Sequence, residues 1–223
     1  MKKLNAVSFF KSEELPTVFM FHGYGADAND LSVLAHEIQT KSQWNWIFPG
    51  GPIKIPIGPN WTGSAWWNID INRWQNTPAN GDYDLSNETS PEAPKTREQV
   101  LNFIADHKIP WNKIVLGGFS QGGMLAADIY LHAPETPKGL LLFSTALVNK
   151  PVWKELVPKR AGGTFYISHG KSDPVIHVNN SQRLFNLLQQ GGLKGKLELF
   201  DGVHSIPPQV IKSAGQYLDS LTV

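Results

Sequence analysis

Short apolar runs alternate with longer amphipathic stretches along this chain. Thr17-Val18-Phe19-Met20-Phe21 has no polar alternation and stops at His22-Gly23, which predicts a strand buried on both faces. Leu31, Leu34, Ala35 and Ile38 recur at helical spacing and predict a helix from Leu31 to Gln39, with Asn29 as its N-cap. Trp46-Ile47-Phe48 predicts a short strand ended by Pro49-Gly50-Gly51-Pro52. Further on, Ser90-Pro91-Glu92 has helix-start chemistry, and Val100, Leu101, Phe103, Ile104 and His107 continue that helix's face. Lys113 to Phe119 predicts a strand and Gly122 to His132 a helix. Gly139 to Ser144, Thr164 to Ser168 and Lys196 to Phe200 predict three more strands. Helices from Asn179 to Gln190 and from Pro207 to Leu221 complete the order. This succession predicts an α/β fold, with a mostly parallel central sheet and helices on both faces. Functional groups then belong at the carboxyl ends of the strands. Residues 1–223 are expected to form a single domain.

Residues 52–90 break the pattern. They are rich in Gly, Pro, Asn and Trp, show no period, and predict an irregular loop. A loop that long inside a compact domain is usually functional or disordered, and its tryptophans argue against disorder. Six of the eight tryptophans (Trp44, Trp46, Trp61, Trp66, Trp67, Trp74) fall between positions 44 and 74.

Composition narrows the chemistry. Twenty Lys+Arg against nineteen Asp+Glu leaves a charge of +1, which argues against a nucleic-acid partner. The absence of cysteine removes disulfides, thiolate metal sites and a cysteine nucleophile. No pair of histidines has H-x-x-x-H spacing, so no metal is expected. The glycines at 117–123 are followed by no Gly-Lys-Ser/Thr and make no phosphate loop. No cofactor is expected. Met1-Lys2-Lys3 leads into a stretch too short and polar for a signal peptide, and no run approaches a membrane span. A cytoplasmic protein without stable membrane insertion is the expectation.

Gly118-Phe119-Ser120-Gln121-Gly122 fits G-x-S-x-G between an apolar strand and a helix, the setting that lifts a serine hydroxyl above a sheet edge. Ser120 is the candidate nucleophile. A serine needs an imidazole to take its proton. His36, His107 and His132 lie on or at the ends of amphipathic helices and read as surface or packing residues. In this kind of site the chain order is Ser, then Asp or Glu, then His. His204, in a turn past the last strand, fits as base; His169 reads as shaping the turn at Gly170. Asp173 fits as the orienting acid. Asp201 is its rival but lies three residues from His204, and Asp128 sits within the nucleophile helix. The oxyanion needs two N–H donors. Gln121 supplies one and Tyr24, in His22-Gly23-Tyr24-Gly25-Ala26-Asp27, the other.

These residues together resemble the phospholipase/carboxylesterase family of α/β-hydrolases, which includes the acyl-protein thioesterases. The resemblance spans nearly the whole chain. Besides the oxyanion and serine segments it rests on Ala65-Trp66-Trp67-Asn68-Ile69 and on His169-Gly170-Lys171-Ser172-Asp173-Pro174-Val175. It implies a serine carboxylesterase acting on a small-molecule ester or thioester, lysophospholipids included, with no metal and with an acyl-binding groove. The chain departs from the family pattern at Asn68, where Asp is usual, and at Thr145, where many relatives carry Gly. Its His204 turn is also shorter. Trp61, Trp66, Trp67 and Trp74 then read as an apolar wall for an acyl chain, or as a packed core that stiffens the loop. Trp66 and Trp67 are the substrate-binding candidates, and residues 52–90 are expected to line the site. An acyltransferase, or a non-catalytic binding protein on the same scaffold, would share these residues. The complete triad argues against the binding protein.

Overall fold

The computed structural model describes residues 4–59, 61–70 and 82–222. The strands are β1 (Ala6–Phe9), β2 (Thr17–Phe21), β3 (Asn45–Pro49), β4 (Ile53–Gly58), β5 (Trp61–Ala65), β6 (Ile114–Phe119), β7 (Gly139–Phe143), β8 (Thr164–Gly170) and β9 (Lys194–Phe200). The α-helices are α1 (Leu34–Glu37), α2 (Ala93–Asp106), α3 (Gln121–His132), α4 (Lys150–Leu156), α5 (Asn179–Gln190) and α6 (Pro208–Ser220). A seven-stranded sheet runs in the order β1-β3-β2-β6-β7-β8-β9. Only β1 is antiparallel within it.

Alternate strand residues feed two hydrophobic layers. Phe19, Leu116, Leu140 and Ile167 pack with α2, α3 and α5. Val18, Val115, Leu141 and Tyr166 pack with α1 and α6. Both faces of the sheet are therefore covered, which is why its central strands read as unbroken apolar runs.

Several local expectations change. The first helix shrinks to the four residues of α1, and Val33, without a side-chain bond, stands where Asn29 was expected as cap. Asn29 instead takes the Asp27 carboxylate on its backbone N–H at 2.7 Å. Residues 52–90 are not wholly irregular, because β4 and β5 pair as an antiparallel ribbon. Pro56 and two glycines hid its alternation. β1 and α4 add to the expected order; β1 is an edge strand with half-exposed side chains, and α4 begins at Lys150-Pro151.

The strand order reverses between β2 and β6. Chain connections run outward from β2 to β3 and from β6 to β7, so the loops after β2 and β6 open a crevice between them. No helix among the described residues is long and apolar enough to cross a membrane.

Candidate active site

Ser120 links β6 to α3 with φ 55° and ψ −120°, a conformation that L-residues rarely adopt. The turn closes only because Gly118 and Gly122 lack side chains. A Cβ on Gly118 would lie 2.3 Å from the Gly122 carbonyl, and one on Gly122 would lie 2.0 Å from the Phe21 oxygen. Gln121 opens the helix, so its N–H belongs to the unpaired first turn.

The loop after β2 stacks on this elbow, for a Cβ on Gly23 would meet the Ser120 Cβ at 3.5 Å. Gly51 N–H donates to Nε2 of His22 at 2.9 Å, so the proton sits on Nδ1, which donates to Gly23 C=O at 2.7 Å. Burial lowers the His22 pKa, against the Gly23 bond that raises it, and keeps the ring neutral. Ser64 accepts from Gly25 N–H at 2.9 Å and donates its own N–H to Ala26 at 2.8 Å, so β5 buttresses the loop that carries Tyr24.

Asp173 and His204 come from the loops after β8 and β9. Lys171 N–H donates to Phe200 C=O at 2.9 Å and Ser172 N–H to Gly202 C=O at 3.0 Å, which locks the two loops together. His204 Nδ1–H donates to Asp173 Oδ2 at 2.7 Å, and its ring lies 4.6 Å from that of Phe119, the residue before Ser120. Asp173 Oδ1 accepts from the N–H groups of Val175 at 2.8 Å and Ile176 at 2.9 Å. Burial would raise this carboxyl, but the His169 and His204 bonds, the His204 charge and the Ile176 N–H hold it well below the usual carboxylate range. The rival acids lie elsewhere. Asp201 is exposed and pairs with Lys171 at 2.8 Å. Asp128 accepts from Arg97 and from Trp153 Nε1, each at 2.9 Å.

The two substrate-binding candidates divide. Trp66 is fully buried, which removes it from any pocket wall. Its indole Nε1–H donates to His22 C=O at 2.9 Å and its C=O accepts from Thr96 Oγ1 at 2.7 Å, so it stiffens the loop. Trp67 borders a cavity of about 500 Å³ together with Met124, Val148, Asn68 and Arg97. Trp61 is 73% exposed on the β4–β5 ribbon, and Trp74 lies outside the described residues. Trp44 and Trp46 pack under the other face of the sheet. The Asn68 departure has a local partner. Glu92 accepts from Asn68 Nδ2 at 2.7 Å and from its backbone N–H at 2.6 Å, a pairing that an Asp carboxylate would oppose.

Two partners were missed from the sequence. The Gln121 carboxamide accepts from Trp66 N–H at 3.1 Å and donates to Trp67 C=O at 2.7 Å. His169, expected only to shape a turn, touches the Asp173 carboxylate at 3.1 Å. Its spacing, four residues before Asp173, was the available signal.

A mostly parallel sheet that carries a serine on such a turn, with a carboxylate-held imidazole at the ends of the strands beyond, has the architecture of an α/β-hydrolase. Residues 3–222 match the model of the phospholipase/carboxylesterase family. The chain belongs to the phospholipase/carboxylesterase family, and it is an enzyme of the carboxylic-ester hydrolase class. Among curated relatives, acyl-protein thioesterase 1 of Eremothecium gossypii is 27% identical over 201 residues, 87% of this chain and 83% of the relative. The Cryptococcus neoformans acyl-protein thioesterase 1 is 24% identical over 226 residues, 93% of each chain. Among solved structures, esterase PE8 superposes with a TM-score of 0.81 at 22% identity, covering 99% of this chain and 100% of that one. The acyl-protein thioesterase 2 of Zea mays superposes with a TM-score of 0.75 at 19% identity, covering 98% and 99%. These two structures bear on the fold.

Proposed function

We propose that this protein is a cytoplasmic serine carboxylesterase, formed as one catalytic domain, that cleaves small acyl esters through an acyl-enzyme on Ser120. The Asp173–His204 bond carries the reading. Because Nδ1–H is committed to Asp173 at 2.7 Å, Nε2 is the unprotonated nitrogen and serves as base. Ser120 Oγ attacks the acyl carbon while its proton passes to His204 Nε2. The N–H groups of Tyr24 and Gln121 hold the oxyanion. The tetrahedral intermediate expels the alcohol, which takes the proton from His204. Water, deprotonated by His204, then attacks the acyl-enzyme and releases the carboxylic acid and free Ser120.

Acyl thioesters and lysophospholipids fit the same chemistry, with a thiol or a glycerol hydroxyl as leaving group. The names of the curated relatives support the thioester alternative. The Ser120→Ala variant tests the mechanism: hydrolysis of p-nitrophenyl butyrate and labelling by a fluorophosphonate are both expected to disappear. A rate that persists in this variant overturns the nucleophile. Matched rates on p-nitrophenyl esters and acyl thioesters of equal chain length separate the two substrate classes.

A further inference from the structure

The triad carboxylate carries a second imidazole. His169 is completely buried at the end of β8. Its Nε2 lies 2.8 Å from Ile176 C=O and 3.1 Å from Asp173 Oδ2. A carbonyl and an ionised carboxylate only accept, so Nε2 carries a proton and donates. Oδ2 is also the oxygen that holds His204. On the far side, His169 Nδ1 is left to accept, and the Ser181 hydroxyl lies 2.6 Å from it and 2.6 Å from Thr145 C=O, with one proton to serve one of these two acceptors at a time. Thr145 Oγ1 in turn donates to Ser120 C=O at 2.8 Å. A run of close polar contacts therefore leads from the backbone of the proposed nucleophile, behind the elbow, to the back of the proposed acid.

We propose that His169 is a positioning residue that shares Asp173 Oδ2 with His204 and fixes that oxygen relative to Ser120. The proposal rests on the Ser120, Asp173 and His204 reading. Its consequence follows from competition for one oxygen. With His169 donating, Oδ2 is less basic, and the His204 imidazolium is less stabilised than a sole partner would be. Neighbouring charges are engaged elsewhere. Lys171 pairs with Asp201 at 2.8 Å, His177 faces Asp82 at 3.6 Å, and Lys196 pairs with Glu198 at 3.2 Å. Arg183, on α5, also pairs with Asp82. Among the described residues, the ion pairs of Asp173 are with these two imidazoles.

The test compares His169→Asn with His169→Gln. An Asn amide occupies the Nδ1 side and keeps Ser181 but does not reach Asp173, whereas a Gln amide reaches it. The Asn variant is expected to lower kcat about tenfold with little change in KM, as for loss of a hydrogen bond to a charged group. Its acid limb of kcat/KM is expected to move about half a pH unit or more toward higher pH. The Gln variant is expected to keep the limb of the parent enzyme. Fluorophosphonate titration of active sites corrects both for any unfolded fraction. Ser181→Ala, which frees the ring without touching Asp173, is expected to move the limb the same way by less. Activity loss in these variants with an unmoved limb overturns the positioning role and leaves the triad standing. A Ser120→Ala enzyme that still hydrolyses ester overturns the underlying mechanism.

Discussion

Gln121 grips the Trp66 peptide from across the site: its Oε1 accepts the Trp66 N–H at 3.1 Å, although the two residues are 55 positions apart. The other end of the carboxamide holds Trp67 C=O. The residue whose backbone N–H is proposed to hold the oxyanion thus also fastens the tryptophan segment to the elbow. Gln121→Ala keeps the N–H but leaves two buried peptide groups unpaired. It is expected to cost about 1–3 kcal/mol of stability per group left unsatisfied. Urea unfolding measures the loss, and an unchanged midpoint would show that the clamp is unimportant.

Asp173 and Asp201 make opposite predictions. Asp173→Asn removes the acceptor for His204 Nδ1–H and is expected to lower kcat about a thousandfold or more. Asp201 pairs with Lys171 at the exposed edge, and Asp201→Asn is expected to stay within about twofold, since surface pairs contribute little. Steady-state rates on one p-nitrophenyl ester decide between them, and the reverse ranking would exchange their roles.

The adjacent tryptophans are expected to fail differently. Trp66→Ala empties a fully buried site and is expected to cost about 3–5 kcal/mol. Trp67→Ala widens the cavity of about 500 Å³ and is expected to change the preferred acyl length. A chain-length series on the Trp67 variant, with a melting curve on each, checks both. An unaltered profile would overturn the proposal that Trp67 binds the acyl chain.

The buried neutral His22 makes stability fall toward acid. Its pKa is lowered from the ordinary 6.5, so below that value the unfolded chain binds a proton that the native site does not. Stability is full above about pH 6.5 and is lost as pH falls from there toward the depressed native value. Asp173, also depressed, adds a loss at lower pH. Its contribution is present above the unfolded carboxyl value of about 3.9 and disappears as pH falls through the native one. His22→Gln is expected to be less stable at neutral pH but to show a shallower decline between about pH 6.5 and 5. Thermal melts across that range compare the slopes, and parallel curves would contradict the His22 assignment.

Local chemistry made most elements and the elbow legible. Apolar runs marked β2, β6, β7 and β8 because a strand covered on both faces has nowhere to place polar groups. Gly118 and Gly122 marked the turn because atoms 2.3 Å and 2.0 Å away leave no room for a Cβ. Asp173 and His204 could be proposed from chain order, since each closes a strand-to-helix connection. The β4–β5 ribbon and β1 escaped because half-exposed strands tolerate mixed side chains. Contacts between distant segments were decided by the tertiary structure alone. Pairing of β8 beside β9 sets the 2.7 Å bond between Asp173 and His204. The way the tryptophan segment crosses the elbow turns Trp66 into the core and Trp67 toward the cavity. Packing of α5 behind β8 brings Ser181 to His169. Short-range periodicity records which face of an element is apolar, but which side chains meet across the sheet depends on the order and register in which the strands assemble.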